Sequence, residues 1–98
     1  MLKRASIRIK GDVQMAGFRT FIKNTADSLN VNGFAENLED GSVRVVCEGE
    51  GEAIEGLINS VKQNPPSFVR IEEVSEKIDR SKGEMVTEIS SLSQPFSF

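Results

Sequence analysis

Between Lys3 and Lys10, Ala5, Ile7 and Ile9 alternate with Arg4, Ser6, Arg8 and Lys10. That period of two predicts a strand with one buried face. Phe18, Phe21, Ile22, Ala26 and Leu29 then recur at helical spacing and predict a helix from Phe18 to Leu29. Asn30 follows the last periodic residue and suits the left-handed position that ends many helices. Val31 to Asn37 reads as a short second strand, in which Gly33 signals a bulge or a close backbone approach. Glu39-Asp40-Gly41 predicts a hairpin turn, of type I′ or of the bulged kind, leading into a strand from Ser42 to Glu48. There Val43, Val45 and Cys47 share one face, Arg44 and Val46 the other, and Gly49 and Gly51 end the element. Ala53, Ile54, Leu57, Ile58 and Val61 form the apolar stripe of a second helix, Glu52 to Gln63, stopped by Asn64-Pro65-Pro66. A fourth strand is expected from near Phe68 to about Ile78, followed by a polar, turn-like stretch from Asp79 to Val86. A last strand is expected either at Met85 to Ile89 or at Phe96-Ser97-Phe98.

The order is β-α-β-β-α-β with an additional C-terminal strand. Right-handed crossovers put both helices on one face of an antiparallel sheet. The fold class is therefore α+β, a ferredoxin-like sandwich. That architecture hosts many functions, so the site has to decide between them.

Composition narrows the chemistry. Ninety-eight residues at 28% charged and 38% hydrophobic describe one ordinary globular domain, expected to span residues 1–98. There is no histidine, which removes Ser-His and Cys-His catalysis, and the single cysteine, Cys47, cannot form an internal disulfide. No metal site and no cofactor are expected. Cys47 reads as a small buried apolar residue. The net charge of −3 argues against a nucleic-acid partner, as does the lack of Trp, Tyr and of any Phe in the first and third strands. No apolar run is long enough to span a membrane. The expectation is a cytoplasmic monomer.

Charge is unevenly spread. Lys3, Arg4, Arg8, Lys10, Arg19 and Lys23 face a single acid, Asp12, in the first part of the chain. At its centre lies Gly11-Asp12-Val13-Gln14-Met15-Ala16-Gly17-Phe18-Arg19, where a strand turns into a helix. Backbone N–H groups at a helix start form an anion site, and a guanidinium suits phosphate. The residues alone thus describe an oxyanion cradle. An arginine in a first turn is more often simply solvated, and an asparagine before a hairpin, such as Asn37, is more often turn chemistry.

This stretch resembles the acylphosphatase signature Gly-x-Val-Gln-Gly-Val-x-Phe-Arg, which Gly11, Val13, Gln14, Phe18 and Arg19 match. The likeness continues through Ala26, Leu29, Gly33-Phe34, the block from Asn37 to Val43, Pro65-Pro66 and Phe96-Ser97-Phe98. It implies a metal-independent hydrolase that cleaves the carboxyl-phosphate bond of a small acyl phosphate to a carboxylate and inorganic phosphate. Carried over by position, the phosphate-binding loop comprises Gln14, Met15, Ala16, Gly17, Phe18 and Arg19. Arg19 would hold the phosphoryl oxygens and Asn37 would place the attacking water. Gln14 is expected to brace the loop and Phe18 to join the core. Met15-Ala16 stand where the family has Gly-Val. If position 15 requires a positive φ, methionine there costs on the order of 1–2 kcal/mol and lowers activity through phosphate affinity. That departure keeps an alternative open: a weak or inactive module of the same fold that binds phosphate, carbamoyl phosphate or a protein. A cradle at a short turn leaves the acyl group largely to solvent, so little substrate selectivity is expected.

Overall fold

The computed structural model describes residues 2–80. Its elements are β1 (Leu2–Asp12), α1 (Phe18–Ser28), β2 (Asn32–Asn37), β3 (Val43–Glu50), α2 (Gly51–Gln63) and β4 (Arg70–Arg80). The four strands form one sheet in the order β2-β3-β1-β4, with every neighbouring pair antiparallel. Ala5, Ile7 and Ile9 of β1 are buried in one cluster with Phe18, Ile22 and Ala26 of α1 and Ile54, Leu57 and Val61 of α2. One core thus joins one face of the sheet to both helices, as the alternation in β1 and the two helical stripes require. The predicted last strand lies outside the described residues.

Elements differ from expectation mostly at their ends. Leu29 caps α1 instead of continuing it, and Asn30 takes the left-handed conformation at φ 58°. In the β2–β3 hairpin, Leu38 N–H donates to the Ser42 carbonyl at 2.8 Å and Gly41 N–H to the Leu38 carbonyl at 3.1 Å. Of the turn residues only Gly41 has a positive φ, 92°, so this is the bulged hairpin; type I′ would require two such residues. Gly33 is a close approach: a Cβ there would overlap the Val46 carbonyl on the neighbouring strand.

β4 shows the largest shift. It begins at Arg70 instead of Phe68, which lies in a turn where Val69 N–H donates to the Pro66 carbonyl at 3.2 Å. It also runs through Asp79 and Arg80, expected as turn, because these pair with Arg4 and Lys3 of β1. The register slips between Lys10 and Gly11, so that Lys10 faces Glu73 and Gly11 faces Ile71. Glu72 is the extra residue of a bulge, and this reverses the facing of the strand beyond it. As a result Ile71 and Val74, three apart, both pack on the core. Gly11 allows the approach: at φ 134° it lies so close to β4 that a Cβ would overlap the Arg70 carbonyl.

On the sheet face away from the helices, Phe34 pairs with Val46, and both are buried. No exposed aromatic is therefore offered there for stacking bases among the described residues.

Candidate functional site

Past the slip at Lys10/Gly11, β1 stays paired with β4 through Asp12 and Arg70, and the chain then leaves the sheet toward α1. Val13 is buried, and Gln14, Met15, Ala16 and Gly17 follow as an exposed loop. Phe18, 0% exposed, then pins the start of α1 into the core. The loop is short because an anchored residue stands at each end. Its closing turn is a 3.1 Å bond from Phe18 N–H to the Met15 carbonyl. Gly17 is the N-cap of α1, left-handed at φ 94° and ψ −14°. The positive φ thus falls at Gly17, and Met15 has none. The strain expected for a methionine at position 15 does not arise.

The N-terminus of α1 has no side-chain cap and no acidic residue in its first turn, whereas α2 carries Glu52 there. Met15, Ala16 and Gly17 donate no backbone hydrogen bond among the described residues. These N–H groups and the positive end of the helix dipole are concentrated at one place. Arg19 follows in the first turn, half-buried. A cation at this end of a helix is unfavourable unless an anion accompanies it.

Gln14 connects the loop to the hairpin. Its Nε2 donates to the Leu38 carbonyl at 2.6 Å and to the Ser42 carbonyl at 2.9 Å. Leu38 directly follows Asn37, the exposed last residue of β2, which pairs with Val43. One amide therefore holds the two segments that carry the predicted site residues. Its role as a brace is as expected; its two acceptors could not be read from the sequence. The hairpin tip is itself held by Asp40, whose Oδ1 accepts from Ser42 N–H at 2.9 Å and Ser42 Oγ at 2.5 Å. These bonds, chiefly the hydroxyl's, hold the Asp40 carboxyl below its ordinary value.

The positive first part of the chain is partly neutralised locally. Arg8 lies 3.7 Å from Asp40, and Lys23 lies 2.7 Å from Asp27 along α1. Among the described residues no group of His, Cys, Asp or Glu gathers to hold a metal, and no helix is long and apolar enough to cross a membrane. An open groove of about 480 Å³ runs beside the loop, lined in part by Val13, Met15, Gly41 and Phe68. Neither Arg19 nor Asn37 lines it. Phe68 was expected as a strand residue and was not foreseen at the site; no pattern in the sequence placed it there.

Comparison with known proteins identifies a family and its fold. The family model described as Acylphosphatase matches residues 5–89. The acylphosphatase of Caldanaerobacter subterraneus subsp. tengcongensis is 42% identical over 84 residues, covering 86% of this chain and 92% of that protein. The crystal structure of acylphosphatase from Bacillus subtilis superposes with a TM-score of 0.76 at 33% identity, covering 83% of this chain and 88% of that one. Full-length HypF in its phosphate- and nucleotide-bound form gives 0.78 at 34% identity, over 84% of this chain but 11% of that protein.

Proposed function

The chain belongs to the acylphosphatase family, and we propose that it hydrolyses small acyl phosphates without a metal, as one domain spanning residues 1–98 and as a cytoplasmic monomer. Family and fold support the hydrolase activity itself. The residue roles are our reading. The phosphoryl group sits on the loop from Gln14 to Arg19, against the N–H groups and the Arg19 guanidinium. A water held by the Asn37 amide attacks phosphorus in line. The bond from phosphorus to the carboxyl oxygen breaks, its electron pair leaves with the carboxylate, and both of the water's protons stay on the released dihydrogen phosphate, which then exchanges them with solvent.

Such a reaction asks for little covalent chemistry from the protein. Phosphoryl transfer depends mainly on positioning and on stabilising charge at the equatorial oxygens. The acyl phosphate is an anhydride with a good leaving group, so no general base is needed. The observation that carries the reading is the uncapped start of α1, with the Met15–Gly17 N–H groups bonded to no backbone acceptor among the described residues and the loop tied through Gln14 to the hairpin bearing Asn37.

The test is hydrolysis of benzoyl phosphate with chelator present, in wild type, Arg19→Ala and Asn37→Ala. Turnover in wild type and a loss of about 100-fold or more in each variant is expected. Arg19→Ala should also abolish inhibition by phosphate, and Asn37→Ala should leave it. Chelator-sensitive turnover, or full activity in either variant, refutes the scheme. A second reading is a phosphate-binding module without turnover; a domain of this fold also forms a small part of the much longer HypF. It predicts no hydrolysis, but thermal protection by phosphate that depends on Arg19.

A further inference from the structure

We infer that the groove beside the phosphate loop is the acyl-group subsite, and that Phe68 and Met15 make it select uncharged apolar acyl phosphates; this rests on the acyl-phosphate hydrolysis proposed above. Among the described residues, the exposed large apolar side chains are Leu2, Met15, Phe68 and Ile78. Single exposed apolar residues are ordinary. Here Met15, at 44% exposure, and Phe68, at 46%, line the same groove of about 480 Å³. Two large apolar groups converging on one concavity beside a polar cradle is the usual make-up of a small-molecule site.

The two residues come from distant parts of the chain. Met15 belongs to the phosphate loop itself, and Phe68 to the turn ahead of β4. The Phe68 ring lies against that loop: its Cζ stands 3.5 Å from where a Cβ on Gly17 would be. The groove is therefore continuous with the cradle. One wall is a residue of the loop, and the other touches the loop's helix-capping glycine. A phosphoryl group held on the loop N–H groups places its acyl substituent within reach of these walls.

The remaining lining indicates which acyl groups fit. Val13 and Val69 add apolar surface. Asp12 and Arg70 also line the groove and are cross-strand partners, so the rim carries one charge of each sign. A rim without net charge gives no advantage to an acyl group bearing a further carboxylate or phosphate. The occupant that matches is an aryl or alkyl acyl chain, and the poor selectivity expected of a bare cradle gives way to a preference for apolar acyl groups.

The experiment compares benzoyl phosphate with acetyl phosphate, whose leaving carboxylates are of similar basicity but differ widely in apolar area. Wild type should favour benzoyl phosphate by about tenfold or more in kcat/KM. Phe68→Ala should lower the benzoyl value by about fivefold or more and leave the acetyl value within about twofold, with Phe68→Leu between them. Phe68 is half-exposed in a turn, and a thermal melt confirms that the variants fold. A benzoyl-to-acetyl ratio unchanged by Phe68→Ala overturns the subsite while leaving the hydrolase intact. Phenacylphosphonate and acetonylphosphonate, which cannot be hydrolysed at the bridging carbon, read the same discrimination by calorimetry. If wild type hydrolyses neither substrate, the hydrolase reading falls. Tighter phenacylphosphonate binding that Phe68→Ala removes still supports the subsite, and equal or absent binding of both phosphonates overturns it.

Discussion

Replacing Gln14 by alanine separates two things that this side chain does at once. Its amide makes two hydrogen bonds, at 2.6 Å to the Leu38 carbonyl and at 2.9 Å to the Ser42 carbonyl. A neutral bond of this kind contributes about 0.5–1.5 kcal/mol net. The bond to Leu38 is exposed, so water replaces it readily, while the one to Ser42 is part-buried. Together they predict a loss of about 1–2 kcal/mol. For a domain of this size each kcal/mol lowers Tm by about 4–8 °C. The kinetic effect is larger in proportion. Without the brace, the loop and the strand end bearing Asn37 lose a direct tie between them. A displacement of about 1 Å between a positioning group and a bound substrate lowers the rate on the order of 100-fold. In Gln14→Glu the carboxylate faces two carbonyl oxygens and has no proton to give, so it should be worse than alanine. Protonation restores one donor, so this variant alone should recover as pH falls. Denaturant melts and benzoyl phosphate kinetics on the same samples read both effects. A drop in stability with kcat/KM within about twofold of wild type refutes the claim that the brace positions the site, and unchanged stability refutes the bonds themselves.

Gly17→Ala should cost about 1–2 kcal/mol, since φ is 94° while the new methyl meets only the Phe68 ring at ordinary contact distance; phosphate inhibition should weaken with it, and Gly17→Asn should be milder on both counts. Met15→Gly should leave the phosphate inhibition constant within about twofold and lower the denaturation midpoint slightly, because position 15 stores no left-handed strain to relieve; a markedly tighter constant would refute this. Cys47, buried at 0% exposure with its thiol pushed up to about 12 by burial, should resist iodoacetamide at neutral pH in the native protein and react fully in denaturant. The contribution of the Asp40 contacts to hairpin stability should be fully present above its ordinary value near 3.8 and fade as pH falls through the lower folded value, and Ser42→Ala, which removes the hydroxyl bond but keeps the backbone one, should weaken that dependence.

Periodicity carried most of the fold. The alternation in β1, the stripes at Phe18–Ala26 and Ile54–Val61, and Asp40-Gly41 located the elements because each pattern reflects a side chain's own burial or backbone preference. β4 resisted the same treatment for a definite reason. Its bulge at Glu72 changes facing midway, so Ile71 and Val74 sit three apart, off the period of two that marks a strand, and its outer half is almost wholly polar. At the site, the cradle was legible from glycines between two periods. The roles of Arg19 and Asn37 came from resemblance, because each residue is also ordinary where it stands. That Gln14 ties the loop to Leu38 and Ser42, and that Phe68 stands against Gly17, are contacts between segments far apart in the chain, and no local pattern encodes them.

The position of β1 in the sheet has a consequence for how the chain acquires its structure. β1 is made first, yet both of its partners, β3 and β4, lie far along the chain. Among the described strands it has no partner until residue 43 has emerged, and the β2–β3 hairpin is the one pairing of strands adjacent in the chain. The curve that opens the phosphate loop comes later still, because the pairing of Gly11 with Ile71 waits for β4. Closing such long loops before contacts form slows folding. A nascent chain that stops short of Arg70 therefore holds Arg19 and Asn37 but not the strand against which the loop is bent. Activity should appear during translation only once β4 has joined β1.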